Sequence, residues 1–247
     1  AGFAAASWLR GIAWHAMPTT LAGMVDAAIG GKTGINSDHG KNLIGAFHSP
    51  VSVVVDTSFL KTLSPRDFSA GMAEVIKAGF IADPKILDLV LSVSENVDEI
   101  IWRSVKVKAD VVSADFKESR LREILNYGHT LGHALEQAAN YKGILHGEAV
   151  GYGLRAALTI GVELGVTPAA RAARALALLD ALGLGAAPRR ESPATLVEAT
   201  THDKKVAGGK IRWVLPTAKS FVIRDDVPAS LVLRAATQML AGSGGKR

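Results

Sequence analysis

The sequence predicts an α/β segment followed by a largely helical domain. Residues 11–17 and 51–55 are short apolar runs of the kind that form buried strands. From residue 66 to residue 201 almost every stretch has helical periodicity, and prolines mark the starts and connections of the helices. Because the pattern changes at Pro65, we expect two domains, residues 1–64 and residues 65–247.

The elements are expected in the following order. A helix-like run opens the chain at Gly2–Leu9, before the first strand. In the glycine-rich segment 26–45 the backbone could approach a ligand closely at residues 30–33 and 40–42, although the spacing does not match a P-loop. The simpler alternative is two ordinary glycine turns with exposed lysines. The predicted helices are 67–82, 84–92, 97–115, 120–139, 147–164, 168–183 and 193–201, followed by a hairpin of 211–215 with 220–224 and a last helix at 228–241.

Composition excludes several classes of protein. The 247 residues are 48% hydrophobic and 21% charged, which is ordinary for a globular chain of one large or two small domains. There is no cysteine, so disulfides and thiolate-ligated metals are excluded, and a reducing cytoplasm is the expected compartment. No signal peptide is visible, and the most apolar stretch, 149–165, is interrupted by Arg155 and Glu163, so no membrane association is expected.

The net charge is +5 and the isoelectric point is about 9.5. Basic residues are dispersed or placed beside acids, as in residues 203–205, and no stripe of alternating basic and aromatic residues is present. Nucleic-acid binding is therefore not expected. The charge indicates either a mildly basic solvated surface or a focused anion-binding pocket.

Three short runs, residues 73–77, 126–133 and 145–148, together supply the carboxylate of Glu74 and three imidazoles. Such a set is typical of a catalytic divalent metal, which takes about three His or carboxylate ligands and keeps one position open. His129 and His133 are four apart, so a helix would place both rings on one face. No Glu follows the first His, which distinguishes the pair from a zinc-protease motif. The simpler alternative is a group of hydrogen-bonded core histidines.

A cationic cluster accompanies these histidines. It consists of Lys106, Lys108, Lys117, Arg120 and Arg122, all just upstream of His129. Asn126 lies between the two groups. Cations beside a metal-like set suggest a polar, anionic substrate held over a Lewis acid.

Seven motifs, in this order, resemble 3-dehydroquinate synthase. They are residues 18–21, 25–26, 30–36, 40–47, 73–77, 125–130 and 145–148. The resemblance runs from residue 1 to the C-terminal hairpin, and the wider group includes other sugar-phosphate cyclases. It implies a dehydroquinate synthase-like fold, with a Rossmann-like NAD-binding domain, an all-helical domain, an active site between them and a homodimeric assembly.

The chain departs from the family pattern at two points. The glycine-rich, pyrophosphate-binding stretch that precedes Ala-Gly-Phe in the family is not in this sequence. Residues 1–64 would then be the C-terminal part of the NAD-binding domain, and this chain alone is expected to bind NAD poorly and to lack activity. Phe116 stands where the family has an acidic residue.

The resemblance also implies roles for individual residues. The metal ligands, for Zn²⁺ or Co²⁺, would be Glu74, His129 and His146. The catalytic residues would be His133, Lys77, Glu118, Asn126, Arg122 and Lys108. The residues around NAD would be Thr19, Thr20, Asp26, Lys32, Lys41, Phe59, Leu60, Lys61 and Thr62.

Substrate contacts follow in the same way. Lys108 and Arg122 would hold a carboxylate, and Lys32, Asn42, Asn126 and His133 would surround a phosphate. Arg10 would reach in from a partner subunit, and Asp26, Lys77, Glu118 and the pair Lys204 and Lys205 would complete the pocket.

The implied reaction is the conversion of DAHP, a seven-carbon keto-acid sugar phosphate, into 3-dehydroquinate and phosphate, a lyase step of the shikimate pathway. Two alternatives stay open. One is a sister cyclase that makes a cyclitol from a substrate without a carboxylate, which Lys108 and Arg122 argue against. The other is an inactive helical remnant, which the intact metal and substrate motifs argue against.

Overall fold

The computed structural model describes residues 1–37, 40–117, 121–202, 206–207 and 210–242. Its helices are α1 (Gly2–Ser7), α2 (Pro65–Ile81), α3 (Lys85–Leu89), α4 (Val93–Ala114), α5 (His129–Ala138), α6 (His146–Glu163), α7 (Ala169–Ala181), α8 (Pro193–His202) and α9 (Ala229–Ala241). The strands are β1 (His15–Ala16), β2 (Lys32–Ser37), β3 (Gly40–Phe47), β4 (Ser52–Val53), β5 (Val206–Ala207), β6 (Lys210–Ile211), β7 (Trp213–Pro216) and β8 (Phe221–Arg224).

The two predicted N-terminal strands are confirmed, but each is only two residues long. β1 pairs with β4 in a parallel arrangement, with His15 opposite Ser52. After β1, a π-helical turn at Gly23–Ala27 carries Asp26 towards the helical part of the chain. A 3-10 turn at Thr57–Thr62 then leads into α2, which begins behind an N-cap: Ser64 Oγ accepts a hydrogen bond from the backbone N–H of Asp67 at 3.1 Å.

The interpretation of residues 26–45 as two ordinary glycine turns is wrong, because β2 and most of β3 lie in this segment. β2 and β3 form an antiparallel hairpin in which Lys32 lies opposite Phe47 and Ile35 lies opposite Ile44. Glycines interrupt the alternation of apolar and polar residues that signals a strand, yet the pairing of β2 with β3 requires one of these glycines. A Cβ on Gly45 would lie 2.2 Å from the Thr33 carbonyl oxygen, so the strands can approach this closely only at glycine.

The predicted helix 120–139 is interrupted. Residues Leu121–Asn126 form a 3-10 turn, and α5 starts only at His129. Between them Gly128 has a φ of +80°, which glycine adopts without the steric cost of a Cβ. Arg122 and His129 therefore do not share one continuous helix, and His129 lies in the first turn of α5.

α2, α5 and α6 form the centre of the core. Residues Ala70 to Phe80 of α2 are all buried, as is most of α6 between Gly147 and Gly161. α6 passes very close to its neighbours, because a Cβ on Gly147 would overlap the Ala70 carbonyl and one on Gly153 the Gly128 carbonyl. These close approaches bring the first turns of α5 and α6 together beside α2.

The C-terminal part adds cover to this core. β7 and β8 pair as the predicted antiparallel hairpin, and the buried face of α9 packs beside α6 and α8. β5 and β6 form a further two-stranded pair. Among the described residues, no helix has the length and apolarity needed to cross a membrane.

Candidate functional site

Three histidines meet where α5 and α6 begin. His129 and His133 are one turn apart on α5, and their ring centroids are 5.2 Å apart. His146 is the first residue of α6, with its ring centroid 5.3 Å from His129 and 5.8 Å from His133. One ring nitrogen from each histidine lies within 4.8 Å of the others, so the three could share a metal ion.

The carboxylate of Glu74 points into this cluster from α2. Its Oε1 lies 3.5 Å from His129 Nε2 and 3.6 Å from His146 Nε2, and the residue is only 2% exposed. The three residues expected to bind metal therefore converge although they come from three helices. His133 stands beside them, and whether it is a ligand is not decided by position alone.

The surroundings of Glu74 fit a cation. Both of its oxygens are inaccessible to solvent, and neither has a hydrogen bond of normal geometry from the described residues. Lys77 Nζ makes an ion pair with Oε2 on the other side. Burial alone would raise the pKa of Glu74, but the charge of Lys77 and the contact with His146 hold that pKa well below its usual range. A buried carboxylate facing two imidazoles, with no thiolate present, suits Zn²⁺ or a similar divalent ion.

The rings of His129 and His146 each have an oxygen acceptor at Nδ1. His129 Nδ1 donates to the Tyr127 carbonyl at 3.1 Å, which leaves Nε2 towards Glu74. His146 Nδ1 lies 3.2 Å from Glu136 Oε2, and Glu136 Oε1 accepts from Lys41 Nζ at 2.6 Å.

Glu136 and His146 shift each other's ionisation. Burial would lower the pKa of His146, but the carboxylates of Glu136 and Glu74 raise it to about 9. Burial acts on Glu136 in the opposite direction, and His146 and Lys41 lower the pKa of Glu136 to about 2. The site thus favours positive charge at the position of His146.

Sequence analysis missed Glu136. The available signal was its spacing, three residues after His133 and seven after His129, which puts all three on one face of α5.

A second charged group adjoins the first. Lys108 Nζ, from α4, donates to Asp26 Oδ1 at 2.5 Å and to the Asp26 carbonyl at 2.7 Å. Lys77 Nζ lies 3.7 Å from the same carboxylate oxygen. Burial favours the neutral form and lowers the pKa of Lys108, despite the opposing effect of Asp26. Three expected pocket residues, Asp26, Lys77 and Lys108, are therefore brought together next to Glu74.

Arg122 is buried more deeply than a surface substrate-binding cation would be. It is 2% exposed, and its guanidinium donates to the Phe116 carbonyl at 2.6 Å and the Gly30 carbonyl at 3.0 Å. Its Nε is buried with no hydrogen-bond partner among the described residues. The side chain therefore joins the start of the 3-10 turn to the backbone just before β2. Its role towards substrate stays a prediction.

The remaining predicted residues lie around this centre. Lys32 and Asn42 are on the β2–β3 hairpin, and Asn126 is half-buried at the end of its 3-10 turn. Thr19 and Thr20 are exposed just before the π-helical turn, and Arg10 is exposed at the end of an N-terminal 3-10 turn.

Residues Phe59, Leu60, Lys61 and Thr62 form the turn before α2, where Phe59 and Leu60 pack against the core. Glu118, Lys204 and Lys205 lie outside the described residues.

Two family models match consecutive parts of the chain. Residues 1–70 match the model for the N-terminal part of 3-dehydroquinate synthase, and residues 71–206 match the model for its C-terminal part. The 3-dehydroquinate synthase of Nostoc punctiforme is 49% identical over 243 residues, which are 94% of this chain and 67% of that protein. The chain spans about two thirds of the length of the curated relatives it matches.

Solved structures support the same relationship. A 2-epi-5-epi-valiolone synthase from Streptomyces hygroscopicus, solved with NAD⁺ and Zn²⁺, is 27% identical with a TM-score of 0.87 over 96% of this chain and 69% of that one. A 2-deoxy-scyllo-inosose synthase, solved with carbaglucose-6-phosphate, NAD⁺ and Co²⁺, is 26% identical with a TM-score of 0.82 over 96% of this chain and 70% of that one. With both family models matched and with close to half of its residues shared with a curated member, the chain belongs to the 3-dehydroquinate synthase family.

Proposed function

We propose that this chain carries the metal and substrate site of a 3-dehydroquinate synthase, which converts DAHP into 3-dehydroquinate and phosphate with NAD and Zn²⁺ or Co²⁺. One observation carries the proposal. Glu74 Oε1 lies 3.5 and 3.6 Å from the Nε2 atoms of His129 and His146, although the three residues are far apart in sequence. Family membership and the NAD⁺ and Zn²⁺ or Co²⁺ in the related cyclase structures support the same assignment.

Different residues of this chain would bind the metal, orient the anionic substrate and exchange protons. Glu74, His129 and His146 would hold the metal, which as a Lewis acid would polarise a hydroxyl or carbonyl oxygen of the substrate. Lys77 and Lys108 place two ammonium groups next to that position, where they would orient an anionic substrate. His133 is half-buried at the edge of the cluster, where its imidazole would exchange protons with the substrate while the other three residues hold the metal.

A cyclitol-forming cyclase is the second candidate, because the two similar solved structures are a 2-epi-5-epi-valiolone synthase and a 2-deoxy-scyllo-inosose synthase. In this chain Lys108 and Arg122 already have internal partners, so their presence alone does not select a substrate with a carboxylate. Sequence identity favours the 3-dehydroquinate synthase assignment instead. The chain is 49% identical to a curated 3-dehydroquinate synthase and 27% identical to the valiolone synthase.

The test combines metal binding with turnover. The metal-free chain is titrated with Zn²⁺. Because this chain alone is expected to lack activity, phosphate release from DAHP is followed, with NAD and metal present, in a chain extended at its N terminus by the glycine-rich NAD-binding stretch of a relative. We expect one Zn²⁺ per chain, lost in Glu74→Ala and His146→Ala. Phosphate release that depends on metal and NAD supports the lyase assignment, whereas release from a sugar phosphate that has no carboxylate, and not from DAHP, would support the cyclitol alternative. Zinc binding that survives both substitutions would contradict the site.

The same proposal includes the organisation of the protein. Residues 1–64 are assigned to a Rossmann-like NAD-binding domain and residues 65–247 to the helical metal- and substrate-binding domain. We further propose a cytoplasmic homodimer, in which the exposed Arg10 of one subunit reaches the site of the other. Sedimentation velocity measures the dimer directly. Mixing inactive Arg10→Ala and His146→Ala forms of the extended chain should restore part of the activity if the site is shared.

A further inference from the structure

We infer that Glu136 is a positioning residue for the metal site, holding His146 in the orientation that directs its Nε2 towards Glu74. This inference rests on the proposed metal site. Glu136 is 4% exposed, although carboxylates are rarely buried unless they are paired. Both of its oxygens are partnered by residues from other elements, Oε2 by His146 at 3.2 Å and Oε1 by Lys41 at 2.6 Å.

The geometry explains why a carboxylate stands at this position. His146 lies between two carboxylates, with Glu136 at Nδ1 and Glu74 at Nε2. A carboxylate accepts hydrogen bonds, so Glu136 retains the proton on Nδ1, and Nε2 is the nitrogen that would give its lone pair to a metal beside Glu74. An acceptor behind a metal-binding histidine fixes the ring and increases its basicity.

His129 supplies an internal comparison. Its Nδ1 also faces an oxygen acceptor, the Tyr127 carbonyl at 3.1 Å, and its Nε2 also faces Glu74. A backbone carbonyl accepts the hydrogen bond from Nδ1 of His129, as the Glu136 carboxylate does from Nδ1 of His146. The difference is that a backbone acceptor cannot be removed by substitution, whereas the Glu136 side chain can.

Lys41 explains how Glu136 remains on the far side of His146. Its ammonium lies on the oxygen that does not face the ring, and it belongs to the β2–β3 hairpin, whereas Glu136 belongs to α5. The pair therefore ties the hairpin to the metal-site helix. A carboxylate neutralised by Lys41 has less tendency to swing towards the metal and act as a ligand itself.

The experiment measures Co²⁺ binding to the full chain by visible absorption, alongside thermal unfolding of the metal-free protein. We expect Glu136→Gln to weaken Co²⁺ binding by about 10- to 100-fold and to alter the absorption band. Lys41→Met, which keeps the Glu136 carboxylate, should have a smaller effect. Glu163→Gln is the matched control, because Glu163 ends the same helix as His146 and pairs with Arg234 at 2.6 Å far from the histidines.

The possible outcomes separate the two hypotheses. If wild-type protein binds no Co²⁺, the proposed function fails and this inference fails with it. If wild type binds Co²⁺, His146→Ala loses it and Glu136→Gln binds as wild type does, only the inference about Glu136 is overturned. A merely structural role would lower the unfolding temperature of the metal-free Glu136→Gln protein and leave the metal affinity and spectrum of its folded fraction unchanged, which also overturns it.

A second measurement does not depend on any variant folding. Long-range ¹H–¹⁵N correlation spectra of the Zn²⁺-loaded wild-type protein report which ring nitrogen of His146 carries the proton. We expect a protonated Nδ1 and a metal-bound Nε2. A protonated Nε2 with Nδ1 bound to metal would place Glu136 on the wrong side of the ring and overturn the inference.

Discussion

Lys108 Nζ donates to both the carboxylate and the backbone carbonyl of Asp26, at 2.5 and 2.7 Å. The lysine is on α4 and the aspartate is on the π-helical turn 82 positions earlier, so this contact joins the N-terminal segment to the helical domain. Lys77, next to Glu74 in the site, lies 3.7 Å from the same carboxylate. One aspartate thus compensates two buried ammonium groups.

Asp26→Asn should therefore destabilise the fold. Two largely buried cations would lose a charged partner, which typically costs 3–5 kcal/mol at fully buried sites; since the Asp26 side chain is 25% exposed, we expect about 2 kcal/mol. Urea unfolding measures the difference. Asp110→Asn is the control, because the Lys106–Asp110 pair lies on the exposed side of the same helix and its loss should cost less than about 0.5 kcal/mol. Equal effects of the two substitutions would contradict the assigned role of Asp26.

Removing single histidines should distinguish metal ligands from their neighbour. His129→Ala and His146→Ala are each expected to weaken Zn²⁺ binding by more than about 100-fold, beyond the effect of groups that only orient a ligand. His133→Ala should weaken it by less than about 10-fold. Isothermal titration with Zn²⁺ gives the comparison. A loss of zinc in His133→Ala as large as in His129→Ala and His146→Ala, with zinc retained in Glu74→Ala, would show that the three-histidine cluster, and not the set with Glu74, binds the metal.

Arg122→Ala should destabilise the protein by about 2–4 kcal/mol, because it empties a buried volume and leaves the Gly30 and Phe116 carbonyls without their donor. Chemical denaturation measures the change. Arg174→Ala is the comparison, since Arg174 is half-exposed and its pair with Asp88 is expected to contribute less than about 1 kcal/mol. If Arg122→Ala leaves stability intact and only raises the KM for substrate, its hydrogen bonds to backbone are not important for folding.

Gly153→Ala should be strongly destabilising. A Cβ there would lie 1.7 Å from the Gly128 carbonyl oxygen and force α6 away from the start of α5, at a cost of about 3 kcal/mol. Gly151→Ala, on the same helix, would meet Leu184 Cβ at 3.1 Å and should change stability by less than about 1 kcal/mol. Thermal unfolding compares the two variants. Since α5 carries His129, zinc binding should also weaken in Gly153→Ala and not in Gly151→Ala.

The features of the fold that the sequence predicted are those that depend on patterns among neighbouring residues. Most helices have the predicted positions, because apolar periodicity and proline boundaries are properties of neighbouring residues. The β2–β3 hairpin was missed because Gly34 and Gly45 interrupt the alternation that signals a strand, and their value appears only when the two strands face each other. The break at Gly128 was missed for a similar reason, since a positive φ there is set by how α5 packs on α6.

The candidate site divides in the same way. The kinds of metal ligand, the absence of thiolates and the one-turn spacing of His129 and His133 are determined by the sequence itself, because they depend on residue type and helix geometry. The meeting of Glu74 with His146, and the support of His146 by Glu136 and Lys41, is decided only by the tertiary structure. These contacts join separate helices and a hairpin. Their distances depend on how closely glycine-lined helices pack, which no local pattern encodes.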